Sequence, residues 1–188
     1  MLRIFKFNNE DVEKNIKEFK EANKVTLPQQ YEEFLKKYNG GNTPKTNFKI
    51  NGVSSDIRAF FGFGNASKDY NFLFLKENDF LKNHLDKQFL PIATDSFGNI
   101  IVIGIGKENN GEIHFFDCEK SLYKHLRDNF EEFIQKVKSK KFVVRSIEER
   151  IHDMKESGSN IEIDEDLINL WQSEIDKYSG SKQEKVII

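Results

Sequence analysis

The chain has 188 residues, with 29 Lys and Arg against 31 Asp and Glu and a formal net charge of −2. That length suits one domain plus a small extension, with enough core to fold unstapled. The balance of charge argues against nucleic-acid binding, the densest basic stretch, Lys136 to Lys141, having a use at a helix end; the single Cys118 allows no internal disulfide, and no run of about 18 apolar residues could span a membrane.

The opening MLRIFKFNNEDVEK contains no apolar stretch of signal-peptide length, so the expectation is a cytoplasmic protein. A lone cysteine agrees with a reducing compartment. The Asn65-Ala66-Ser67 glycosylation match is then empty. Phenylalanine occurs 18 times. Codon bias with rings used as core filler accounts for the excess, although such rings also serve as binding anchors.

Residues 10–23 read as an amphipathic helix, with Val12, Ile16 and Phe19 at helical spacing. A second helix runs from Pro28 to Tyr38, its apolar face formed by Tyr31, Phe34, Leu35 and Tyr38. Pro28 suits the first turn and Asn39-Gly40-Gly41 the end. Phe48 and Ile50 alternate with polar residues, Asn51-Gly52 is a hairpin turn, and Ile57 to Phe63 is a further strand. Residues 69–86 follow a helical pattern that Asn78-Asp79 could break.

Phe89 to Ala93, Ile100 to Ile105 and Glu112 to Asp117 are strands separated by two tight turns, hence an antiparallel meander. Leu122, Leu126, Phe130, Phe133, Ile134 and Val137 predict a helix over 121–138. Beyond it, 142–155 reads as a short helix, Ser157-Gly158-Ser159-Asn160 as a linker and Ile163 to Tyr178 as a final helix. Asp164 is its expected N-cap, and the tail from Ser179 is expected to fray.

No complete catalytic or metal-binding motif is legible in the chain. Gly62-Phe63-Gly64 lacks the third glycine of a dinucleotide fingerprint, because Ser67 stands there. Gly104-Ile105-Gly106-Lys107 lacks the hydroxyl residue that would hold Mg²⁺. His84, His114, His125 and His152 lie far apart in the chain with no metal-ligand spacing. His114, Phe116 and Cys118 share a strand face, where a Cys–His nucleophile pair cannot meet, so Cys118 is expected to be buried packing. Asp95 is explained by turn closure. No catalytic residue, metal ligand or cofactor is expected, and no enzyme.

The order of Leu27-Pro28, Tyr31, Phe34, Leu35 and Tyr38-Asn39-Gly40-Gly41, then LPIATDSFGNIIVIG and GEIHFFDCE, resembles the SUKH superfamily, the Smi/Knr-like domains. Its landmarks here are Leu27, Pro28, Asn39, Gly40, Pro91, Ile92, Ala93, Asp95, Gly98, Asn99, Gly111, Ile113, Phe115, Asp117 and Glu119, within residues 10–138. The resemblance implies an α+β fold, a curved sheet, antiparallel or mixed, with N-terminal, middle and C-terminal helices packed on it. The domain is expected over 1–141, with a helical acidic extension over 142–188.

It further implies an immunity protein that neutralises a cognate bacterial toxin, a nuclease in the expected case, by stoichiometric binding. In yeast a similar domain is a regulatory scaffold, so an intracellular adaptor with no toxin partner stays open. Phe61, Phe63, Asp69, Tyr70, Asp95 and Glu119 are the expected partner-binding residues, being loop and strand-end positions. The shared motif residues are expected to be structural.

Overall fold

The computed structural model describes residues 1–77 and 79–188. The chain forms two units, residues 1–140 with 184–188, and residues 141–183. Among the described residues no helix is long and apolar enough to cross a membrane.

The larger unit begins with β1 (Arg3–Lys6), α1 (Val12–Asn23) and α2 (Gln29–Tyr38). Next come β2 (Gly41–Asn42), β3 (Thr46–Ile50), β4 (Val53–Ser55) and β5 (Ala59–Phe60). A 3₁₀ turn at Lys68–Tyr70 leads into α3 (Phe72–Glu77) and α4 (Phe80–Leu85). Then follow β6 (Phe89–Thr94), β7 (Ile100–Gly104), β8 (Ile113–Asp117), β9 (Leu122–Arg127), α5 (Phe130–Lys136) and β10 (Lys138–Ser139). The smaller unit holds α6 (Ile147–Glu156) and α7 (Glu165–Tyr178), after which β11 (Glu184–Lys185) returns to the larger one.

The fold is α+β. An eight-stranded sheet runs in the order β11-β1-β2-β5-β6-β7-β8-β9, beside a three-stranded sheet β10-β3-β4. Every named strand pair is antiparallel. The β6–β9 meander follows from its three short connections, which leave no room for a parallel crossover. Its central strand, β7, is buried at all five positions, and its continuous apolar run IIVIG is the reason.

Aromatic packing cements the helices to this sheet. Phe34 on α2 lies 5.0 Å from Phe60, 5.2 Å from Phe130 and 5.3 Å from Tyr38, measured between ring centroids. Tilted and edge-on rings at such separations contribute beyond their buried area. Much of the phenylalanine excess is thus core. Asn39 locks the junction after α2: it adopts a left-handed φ of 51°, and its side chain both accepts from Phe63 N at 2.8 Å and donates to Phe63 O at 3.0 Å. Gly40 follows at φ 73°, where a Cβ would run into the Phe61 carbonyl.

Four expectations change. The helix expected over 121–138 begins only at Phe130, and 122–127 is strand β9. Leu122 and Leu126 match helical spacing, but Leu122 is exposed while Leu126 is buried beside a bulge in the β8–β9 register. The strand expected over Ile57 to Phe63 shrinks to Ala59–Phe60, extended by bonds from Arg58 N to Thr94 O and Phe61 N to Ile92 O. The helix expected over 69–86 divides into the 3₁₀ turn, α3 and α4, with Asp79 at a left-handed φ of 54°. Asn78, the other half of the anticipated break, lies outside the described residues. The tail does not fray throughout: Glu184–Lys185 pairs with β1, and Val186 is buried.

In the smaller unit, Ser146 caps α6 through a reciprocal capping box with Glu149, and Asp164 caps α7 by accepting from Leu167 N at 2.8 Å. Arg150 pairs with Glu174 at 2.7 Å, and the rings of Phe142 and Tyr178 lie 4.9 Å apart. Neither helix buries a residue.

Candidate functional site

A cleft of about 250 Å³ lies beside α3, lined by Phe61, Asp69, Phe74, Leu75, Phe80, Thr94 and Ile100. Across the same helix, a second groove of about 320 Å³ takes in Phe63, Phe72 and Leu73 on one side and Asn15, Phe19 and Asn23 of α1 on the other. Helix α3 is therefore a ridge between two grooves. Its crest carries Leu73 and Phe74, which are 64% and 38% exposed.

Thr94 and Ile100 pair at the root of the β6–β7 turn, and the tip of that turn carries Phe97, 82% exposed. The backbone that presents this ring is already fixed by the turn, so its insertion into a partner would cost little backbone entropy. Asp95 holds the turn. Its carboxylate accepts from Phe97 N at 2.9 Å, Asn99 N at 2.8 Å, Asn99 Nδ2 at 2.9 Å and Ser55 Oγ at 2.6 Å. Gly98 supplies the φ of 83° that the turn demands.

The neighbouring β8–β9 turn is pinned alongside, as Cys118 N donates to Asn99 Oδ1 at 3.2 Å and Cys118 Sγ to Gly98 O at 3.2 Å. This turn exposes Glu119, and Leu122 at the start of β9 is also exposed. Cys118 is itself exposed, contrary to the expectation of burial, because it lies past the end of β8. Partial desolvation pushes its thiol pKa up, reinforced by Asp95 and Asp117, so it is no activated nucleophile.

Of the six expected binding residues, the structure brings Phe61 and Asp69 into one cleft and Phe63 into the other. Phe61, Phe63 and Tyr70 are core side chains, at 2%, 6% and 9% exposure; Phe61 and Phe63 touch the grooves only marginally, and Tyr70 lines neither. Asp95 is buried at the centre of its turn, whereas Asp69 and Glu119 are exposed. Phe74 and Phe97, which the sequence did not single out, are exposed, at 38% and 82%. The signal for Phe97 was present: an aromatic residue at the centre of Asp95-Ser96-Phe97-Gly98-Asn99 has no strand neighbour to cover it.

The motif residues have definite structural places. Leu27 is buried, Pro28 precedes α2 with φ −57° and ψ 136°, Pro91 is buried in β6, and Gly111 turns the chain at φ 88°.

The family model for SMI1 / KNR4 (SUKH-1) matches residues 13–136. The chain belongs to the SUKH-1 family. The matched region runs from the first turn of α1 to the end of α5, so the ridge, both grooves and the Phe97 turn all lie inside the SUKH-1 domain. A relative, the SPbeta prophage-derived uncharacterized protein YokK of Bacillus subtilis (strain 168), is 30% identical over 161 residues, covering 76% of this chain and 79% of its own. No solved structure matches the chain.

Proposed function

We propose that the chain is an immunity protein that neutralises a cognate bacterial toxin by stoichiometric, non-covalent binding. Membership of the SUKH-1 family across residues 13–136 is the observation that carries this reading. The α3 ridge and the Phe97 turn are the proposed docking face, with Phe74, Leu73 and Phe97 as apolar anchors and Asp69 and Glu119 as a charged rim. A nuclease fits as the toxin, because its own active site must be basic enough to hold phosphate, and acidic groups beside an apolar cleft complement such a surface. A standard interface of about 1,600 Å² is enough for tight binding when a few anchors are fully desolvated.

The test is capture of the tagged chain's partner from its native extract, followed by recombinant reconstitution. A salt-resistant 1:1 complex with a toxin-domain protein whose toxicity the chain suppresses supports the proposal. Reconstituted toxin that stays active beside saturating chain sinks it.

A second reading, an adaptor docking through its C-terminal helices, is favoured by α7, where Leu170 is 64% exposed and no residue is buried. Replacing residues 141–183 by a short linker separates the two: neutralisation survives under the first reading, and partner binding is lost under the second.

A further inference from the structure

The sequence scattered its histidines, but the fold does not. His114 on β8 and His125 on β9 are direct cross-strand partners, with ring centroids 5.1 Å apart. Glu112, just before β8, brings Oε2 to 3.0 Å from His114 Nε2. One ligand atom from each of Glu112, His114 and His125 lies within 4.8 Å of the other two. We propose that these three side chains form a binding site for a divalent ion of the zinc type, which clips β9 to β8.

The backbone explains why the pair meets. Ile113 pairs with Arg127 and His114 with His125, so Leu126 is an extra residue on β9. Such a bulge bends the strand and re-aims the side chain beside it. Asn51, in the β3–β4 turn, fixes the bulge by donating from Nδ2 to the carbonyls of His125 and Leu126, both at 3.2 Å. The ring of His114 is backed by Phe89 at 4.8 Å. Asp128 Oδ1 lies 3.1 Å from His125 Nε2, where a carboxylate orients a ligating imidazole.

The chemistry selects the ion class. Two imidazoles and one carboxylate suit zinc and its neighbours, whereas magnesium and calcium call for oxygen alone. Zinc bonds of about 2.0–2.2 Å place tetrahedral donors roughly 3.4 Å apart. The Glu112–His114 pair, at 3.0 Å, has to open only slightly to reach that span, and His125, with 40% of its side chain exposed, has room to rotate inward. A fourth position would face solvent and take water. Two separate pairs, Glu112–His114 and His125–Asp128, would hold these groups without an ion, and only an ion joins the two imidazoles that face each other across the strands.

The experiment is calorimetric titration of Zn²⁺ into the chelator-treated full chain, paired with thermal unfolding and with the visible absorption of Co²⁺ as a coordination probe. The site predicts uptake of one equivalent at low-micromolar Kd or tighter, a rise in Tm with Zn²⁺, and an intense tetrahedral Co²⁺ spectrum. His125→Gln, a surface change that leaves the fold intact, and Glu112→Gln should each weaken binding by ~10-fold or more. His152→Gln, on α6 beside Glu156, should change nothing. Absence of stoichiometric uptake, uptake indifferent to His125→Gln, or uptake lost in His152→Gln overturns the site.

Discussion

Ser55 Oγ donates to Asp95 Oδ2 at 2.6 Å, and this bond joins the three-stranded sheet to the β6–β7 turn of the larger sheet. Asp95 simultaneously receives three donors from Phe97 and Asn99, so its carboxylate organises the turn that presents Phe97. Bonds to a buried charged acceptor are among the more valuable kind. Asp95→Ala is expected to cost about 3 kcal/mol in urea unfolding. Asp95→Asn should cost less, since it keeps the shape and part of the acceptor set. A loss under about 0.5 kcal/mol for Asp95→Ala would remove the residue from this structural role.

His84 supplies a pH prediction. It is 3% exposed, lies 2.6 Å from the Tyr123 hydroxyl, and packs between the rings of Phe80 and Phe116 at 4.6 and 4.7 Å. Burial, aided by the positive charge of Lys87, lowers its pKa from 6.5 to about 4. The folded chain therefore holds His84 neutral where the unfolded chain would protonate it. The contribution is complete above pH 6.5 and is lost as pH falls from there through about 4. Denaturation measured across that window should show wild type losing stability more steeply than His84→Gln. Parallel curves would show that His84 is not a linked group.

Burial divides the aromatic residues into two classes with opposite readouts. Phe97→Ser and Phe74→Ser should weaken toxin binding, Phe97 by about 2 kcal/mol, with Tm nearly unchanged for Phe97 because its ring is 82% exposed. Phe61→Ala and Phe63→Ala should instead cost about 3–5 kcal/mol of folding stability, as core truncations do. Full toxin affinity in the Phe97→Ser, Phe74→Ser double variant would exclude this face.

Local signals made much of this fold legible. Asn51-Gly52 predicted the hairpin, and both residues adopt the required positive φ, 47° and 79°. The α1 and α2 stripes and the meander turns were equally local. What escaped depends on partners remote in sequence. Strand β9 was hidden because Leu122 and Leu126 sit four apart, and only the Asn51-supported bulge reveals Leu126 as a core residue of a strand. Reading β9 as helix also concealed the His114–His125 pair. At the candidate site, the sequence did not show that Phe61 and Phe63 are buried, since side-chain burial there is set by packing of α1 and α3.

Strand β11 changes how the C-terminal region should be dissected. Val186 N donates to Leu2 O at 2.9 Å, and the Val186 side chain is buried. Deleting 143–188 therefore removes an edge strand of the larger unit together with α6 and α7. Arg3 pairs with Lys185 and its N–H donates to Ser139 Oγ at 2.9 Å, which places the two ends of the 141–183 segment near one residue. A short linker in place of 141–183 should leave folding stability of the larger unit within about 1 kcal/mol, whereas removing 184–188 should cost about 2 kcal/mol through Val186 alone. Equal losses from both constructions would contradict the division into units.

The most direct test of the central claim is a titration of the reconstituted toxin's nuclease activity with the purified chain. Activity is expected to fall linearly and reach zero at one equivalent, with Phe97→Ser shifting the curve to excess chain. Undiminished nuclease activity at saturating chain, or inhibition that ignores stoichiometry, would contradict the immunity reading.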